Sequence, residues 1–294
     1  MPPPSAIFRL ALDKALSADL MSANAPIGIF DSGIGGLSVL RHVRALLPNE
    51  ELLYFADTGF APYGEKPEAV IVERALAIAA FFLRFHIKAM VVACNTATAA
   101  AIAALREAYP QLQVVGVEPG LKPAAALTSS GVIGVLATAG TLGSDKFQKL
   151  QEHLTASTGV TFIAQACNGL ADQIEKGELH SRDTAALVQR YVAPLLARNA
   201  DTLVLGCTHY PFVGPLIASV AAASAAPIQL VDTGEPVARQ LDRLLKQQGL
   251  LRSGSPPALG LSAYTTGGRT ALSTAFRVLL DLHPPVEEVA GRMG

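Results

Sequence analysis

Two stretches of the chain end a run of strand-type apolar residues on a cysteine: VVACNTATA, carrying Cys94, and LVLGCTHYP, carrying Cys207 with His209 two positions on. A thiol beside an imidazole has three readings: a metal site, half of a nucleophile–base pair, or a core cysteine with a polar neighbour. A structural zinc site takes about four Cys/His ligands, usually as closely spaced pairs. No CxxC or HxxxH pair accompanies Cys207 and His209, so the spacing argues against metal. A Cys–His hydrolase pairs one nucleophile with one base and an oxyanion hole. That scheme gives no part to a second cysteine in a matching position. Two thiols facing each other across a cleft suit another task, removing a proton from one face of a carbon and returning one to the opposite face.

Other stretches carry weaker signals. FDSGIGGLSVL places Asp31 and Ser32 before Gly33, Gly35 and Gly36 at a strand-to-helix junction, with Ser38 where a dinucleotide fingerprint would end on glycine. Such a loop either offers backbone N–H groups to an anion or is a tight turn capped by Asp31. ADTGFAPYGEKP reads as a long loop in which Pro62, Tyr63 and Gly64 fix a turn, whether to approach a ligand or only to shape the chain. Cys94 precedes an alanine-rich helical pattern, with Asn95 and Thr96 in the turn. A thiolate at a helix N-terminus gains stability, so the thiol pKa there is expected to fall. The alternative for each cysteine is burial without chemistry, and Cys167, with no counterpart elsewhere, reads as structural.

These residues need a scaffold that brings strand ends together. Strands are expected at Ile27–Phe30, Leu52–Ala56, Ala89–Ala93, Val114–Val117, Val132–Leu136, Thr161–Ala166, Thr202–Gly206 and Ile228–Val231, with AYTTGG as one more. Helical spacing covers Glu68–Phe85, Ala97–Tyr109, Ser144–Leu154 and Ser181–Ala197. The alternation predicts parallel sheets built from βαβ units. IGIFDSGIGG followed by AMVVACNTA is echoed by GVIGVLATAGT followed by TLVLGCTHY, which suggests an internal duplication. The expected fold is therefore α/β, with two similar lobes, each a largely parallel sheet flanked by helices, and the site in the cleft between them. Residues 26–118 with 231–294 would form the first lobe and 119–230 the second, after an N-terminal extension of 1–25.

Composition narrows the class. Of the 294 residues 50% are hydrophobic and 16% charged, as in α/β proteins whose strands are covered on both faces. No apolar run approaches the roughly 18 residues of a membrane span. The net charge of −1, without a basic stripe, gives no footprint for nucleic acid. Three scattered cysteines are no disulfide framework and point to reduced thiols in the cytoplasm. Arg9, Asp13, Lys14 and Asp19 interrupt what would be the apolar centre of a signal peptide.

Taken in order, GIFDSGIGGLSVL, YFADTGFAPYGEKP, VVACNTATA, VGVEPGLKPA, GVLATAGTLGS, LVLGCTHYP and LVDTGEPVA resemble bacterial glutamate racemase, of the cofactor-independent aspartate/glutamate racemase superfamily. The resemblance runs from about Ile27 to Arg239. It implies a cytoplasmic enzyme, monomer or homodimer, that needs no cofactor and makes D-glutamate for peptidoglycan. It also implies that Cys94 deprotonates D-glutamate and Cys207 deprotonates L-glutamate, with Asp31 assisting Cys94, and His209 and Glu175 assisting Cys207. Glu175 rests on ACNGLADQIEKGEL, where many relatives have proline at the position of Asn168. The implied substrate contacts are Asp31, Ser32, Tyr63, Gly64, Asn95, Thr96, Thr208 and His209, with Thr138 and Thr141 more peripheral. Some relatives with an N-terminal extension are activated by UDP-N-acetylmuramoyl-L-alanine, and some bind DNA gyrase, a role for which this composition offers no separate support. Aspartate racemisation is the near alternative, distinguished by pocket shape. A two-lobed amino-acid-binding protein without catalysis is the more distant one.

Overall fold

Ten strands alternate with helices along the chain: β1 (Ile27–Asp31), β2 (Leu52–Ala56), β3 (Ala89–Val92), β4 (Gln113–Gly116), β5 (Val132–Ala137), β6 (Thr161–Ala166), β7 (Thr202–Gly206), β8 (Gln229–Val231), β9 (Leu261–Thr265) and β10 (Val286–Glu288). They are those of a computed structural model that describes residues 22–222, 227–255, 257 and 260–289. The N-terminal extension, through residue 21, lies outside the described residues.

The strands form two sheets, ordered β10-β9-β2-β1-β3-β4 and β6-β5-β7-β8, and every pairing is parallel. Within the first sheet the run β2-β1-β3-β4 has the same order as the whole of the second. The repeated motifs are thus a repeated topology. Cys94 and Cys207 each follow the third strand of their set, β3 and β7.

Apolar clusters cover both faces of each sheet, which is why the strands read as continuous hydrophobic runs. Side chains alternate between faces along a strand. Ala89 and Val91 therefore join one cluster, while Met90, Val92 and Cys94 join the other. On β7, Leu203, Leu205 and Cys207 share a face, and Val204 lies opposite. Strand parity thus fixes the side from which each thiol leaves its sheet.

Helix limits moved by a few residues from those expected, mostly because of caps. Ser144 and Ser181 are caps rather than first helical residues; their side chains accept from Phe147 N (3.3 Å) and Thr184 N (3.2 Å). Cys94 itself caps the helix Asn95–Ala108, which starts two residues before the apolar pattern suggested. Strand β10 escaped prediction because Val286–Glu288 is short and mostly acidic and sits at a sheet edge.

At the amino-terminal ends of the first sheet's strands, opposite the cysteines, lies a buried ion pair. Lys88 Nζ donates to Glu50 Oε2 (2.5 Å), Ala23 O (2.6 Å) and Leu250 O (2.8 Å). The other Glu50 oxygen accepts from Arg252 N (2.9 Å). Four separated segments meet on this one ammonium–carboxylate pair.

Candidate active site

A cavity of about 700 Å³, counting its solvent-open mouth, lies where the carboxyl ends of the two sheets face each other. Open parallel sheets place ligands at this end. The first lobe contributes Ser32, Tyr63, Gly64, Cys94, Asn95 and Thr96; the second contributes Thr138, Glu175, Cys207, Thr208 and His209. Two residues of the expected set do not line it: Asp31, fully buried behind the wall, and Thr141. Thr141 closes a hydroxyl triad with Thr96 and Thr138, whose Oγ1 atoms lie 3.0 Å apart across the cleft. Cys167, Asn168, Asp172 and Glu65 also line the cavity and were not singled out as contacts in the sequence. Nothing in their spacing marked them, since loops after β2 and β6 bring them in.

The two thiols have different company. Cys207 Sγ lies 3.5 Å from His209 Nδ1, and His209 Nε2 lies 2.6 Å from Glu175 Oε1. Burial alone would lower the His209 pKa, but Cys207 and Glu175 raise it well above the usual histidine range. That direction favours the protonated ring, whose Nε2 faces Glu175 and whose Nδ1 faces the Cys207 sulfur. Asp31, Glu175 and His209 offer ligand-type atoms within 4.8 Å of one another. Both ring nitrogens of His209 are already engaged, so the cluster reads as a hydrogen-bonded relay.

Among the described residues no base is hydrogen-bonded to Cys94. Its thiol is 3.8 Å from Ser32 Oγ, and its sulfur accepts from Ala97 N (3.4 Å). The helix N-terminus was expected to lower its pKa; the structure corrects this. Burial pushes the thiol up, the Asp31 carboxylate adds to the rise, and the Ala97 N–H offsets only part. Alkylation of Cys94 by iodoacetamide should therefore keep climbing about tenfold per pH unit past pH 9, where an ordinary thiol near 8.5 has levelled off. Peptide mass spectrometry reads this, and a plateau by about pH 10 would contradict it.

The glycine loop also departs from the anion-cradle reading. Gly33 N donates to Asp31 Oδ2 (2.9 Å), and Ile34 N donates across the cleft to Glu175 Oε1 (2.7 Å). The anions it serves are the protein's own carboxylates. A Cβ on Gly33 would sit 1.8 Å from Glu175 Oε1, and one on Gly35 would sit 2.4 Å from His209 Nδ1. At Gly35 a side chain would meet the His209 ring, and at Gly33 it would displace the Glu175 carboxylate. Ser38 adds a second tie, donating to Thr208 O (2.7 Å), and Thr208 Oγ1 donates to Asp31 Oδ1 (3.4 Å). Burial raises the Asp31 pKa; His209 opposes the rise and Glu175 adds to it.

Asn95 has a different standing. Both polar atoms of its side-chain amide are buried without a hydrogen-bond partner, in a residue that lines the cavity. Buried amides are normally paired, so this one is placed to meet a polar ligand.

The chain matches the family described as Asp/Glu/hydantoin racemase over residues 35–241. The glutamate racemase of Ectopseudomonas mendocina is 52% identical over 258 residues, 88% of this chain and 95% of that protein. A crystal structure of a glutamate racemase from Bacillus anthracis superposes with a TM-score of 0.81 at 31% identity, covering 90% of this chain and 97% of that one. The Escherichia coli glutamate racemase, solved with L-glutamate and the activator UDP-MurNAc-Ala, gives 0.78 at 33% identity, covering 90% and 98%. With its paired lobes and its two strand-end thiols, this chain belongs to the glutamate racemases of the Asp/Glu/hydantoin racemase family.

Proposed function

We propose that the two thiols interconvert L- and D-glutamate by direct proton transfer at the α-carbon, without a cofactor. The observation that carries this reading is the pairing of Cys94 and Cys207, each after the third strand of its sheet, on one cavity between the lobes. One sulfur, as thiolate, takes the α-proton; the other, as thiol, delivers its proton to the opposite face. The enzyme leaves turnover with the thiolate and thiol interchanged, and proton exchange with solvent resets it.

The α-proton beside a carboxylate is weakly acidic, so the carbanionic transition state needs preorganised donors away from bulk water. Asn95, Thr96, Ser32 and Thr208 are the polar side chains proposed for that work, with the backbone at Tyr63 and Gly64. Bound substrate also changes Cys94. The α-ammonium is a positive charge brought next to a buried thiol, which opposes the effects that hold it protonated. On the other side His209, braced by Glu175, gives a proton to the Cys207 thiolate as imidazolium and takes one from the thiol as neutral imidazole. Asp31 acts on Cys94 through its field rather than through a hydrogen bond. Lobes of 26–118 with 231–294, and of 119–230, are proposed; the division of the strands between two sheets supports them, with the limit near 231 falling inside β8, whose Val231 pairs with Val204 of the second sheet. No helix among the described residues is long and apolar enough to cross a membrane. The product would enter peptidoglycan synthesis in the cytoplasm.

UDP-N-acetylmuramoyl-L-alanine is proposed as an effector. A second cavity, away from the cysteines, is lined by Arg106, Lys146 and Arg243 together with Glu118, a net cationic set that suits a diphosphate.

Incubation with either enantiomer in deuterium oxide, followed by polarimetry and proton NMR, tests the reaction. Inversion with α-deuteration and no added cofactor is expected. Aspartate in parallel checks the substrate, and a titration of the nucleotide in the same assay checks the effector. Absence of inversion would refute the reading.

A further inference from the structure

We infer that the buried Asp57–Arg74 pair positions the loop Ala61–Glu65 for substrate, acting through the hydroxyl of Tyr63. The inference rests on the glutamate-racemising reading and extends it to residues outside the cavity wall. Asp57 follows β2 and is fully buried. Its Oδ2 accepts from Tyr63 Oη (2.5 Å) and Arg74 Nε (2.9 Å), and its Oδ1 accepts from Arg74 Nη2 (2.8 Å) and Thr266 Oγ1 (2.8 Å). The guanidinium also stacks on Phe60, 3.7 Å from the ring centroid.

The loop between Phe60 and Lys66 is therefore held at Phe60 by the guanidinium and at its middle, Tyr63, by the carboxylate. Its far side meets the second lobe: a Cβ on Gly64 would come within 3.2 Å of Thr138 Cβ, and one on Gly140 within 3.2 Å of Gly64 O. Tyr63 lines the cavity, yet its hydroxyl is committed to Asp57. The residue thus serves the site by where its chain lies, not by a phenol–substrate bond. A bidentate Arg–carboxylate pair is the geometry suited to fixing such a position. Its two charges cancel beside a site that must accept a substrate with two carboxylates.

Loss of the tie should displace donors that hold substrate and transition state alike, which raises KM and spares kcat. Tyr63→Phe is expected to raise KM about tenfold with kcat changed less than about threefold. Enantiomers have equal free energies, so kcat/KM must fall by the same factor for L- and D-glutamate. Asp57→Asn should act more strongly, and Arg74→Lys, which keeps the charge but not the fork, should fall between it and wild type. The thermal shift given by D-glutamate should shrink in the same order.

A merely structural role would lower the melting temperature and leave KM unchanged when assayed well below it; that result overturns the proposal. A loss confined to kcat overturns it too, since it would put the network in the chemical step. If Asp57→Asn fails to fold, Tyr63→Phe still decides. Wild type that does not racemise glutamate would instead overturn the functional reading, and the ligand-induced thermal shifts would still report on the loop.

Discussion

Cys207→Ala is expected to stop inversion of both enantiomers while D-glutamate continues to exchange its α-proton with solvent. Inversion in either direction uses both sulfurs, one to remove and one to deliver, so a single loss blocks both. A remaining thiol on one face can still take a proton and return a solvent-derived one to that same face. With Cys207 absent, Cys94 would wash deuterium into D-glutamate without producing L-glutamate. Cys94→Ala should do the reverse, leaving L-glutamate exchanging through Cys207. General acid–base groups contribute about 10²–10⁴ in rate each, so inversion should fall by at least about 10² in either variant. Chiral chromatography follows inversion and proton NMR in deuterium oxide follows exchange. A single variant that keeps full racemisation would end the two-thiol mechanism.

Lys88→Met should be the most damaging single change to stability. It would leave the Glu50 carboxylate buried without its ammonium and strip a donor from the Ala23 and Leu250 carbonyls. Breaking a buried pair by removing one partner costs about 3–5 kcal/mol. For a chain of this length that corresponds to a fall of roughly 10 °C in melting temperature. Glu50→Gln with Lys88→Met should recover part of the loss, because the stranded charge is then gone. Calorimetry of wild type and the two variants gives the comparison, and a shift below about 2 °C for Lys88→Met would show that the pair contributes little.

The sequence showed the strands well because both sheet faces are covered, so β3 is an unbroken apolar run and β1 and β7 are interrupted only at one end, by Asp31 and Thr202. It showed the duplication through motif order, and the two cysteines through their matching strand ends. It was poorer where a role depends on what crosses the cleft. Gly33 and Gly35 suggested an anion cradle, whereas the visible constraint is the arrival of Glu175 and His209 from the other lobe. The direction of the Cys94 shift was misread because a helix N-terminus is visible in a sequence and burial beside Asp31 is not. Asp57 stands in plain view in ADTG, but its partners Arg74 and Thr266 are 17 and 209 positions away.

The repeated strand order has a consequence for how the two half-sites can differ. Two copies of a single lobe, related by a twofold axis, would have to give their thiols identical surroundings. Joining the copies in one polypeptide removes that obligation while keeping the sulfurs opposed. Here one has an imidazole and a carboxylate in series behind it, and the other only a serine hydroxyl and a backbone amide. Covalent fusion lets a pair of mirror-image half-reactions be tuned by unlike neighbours.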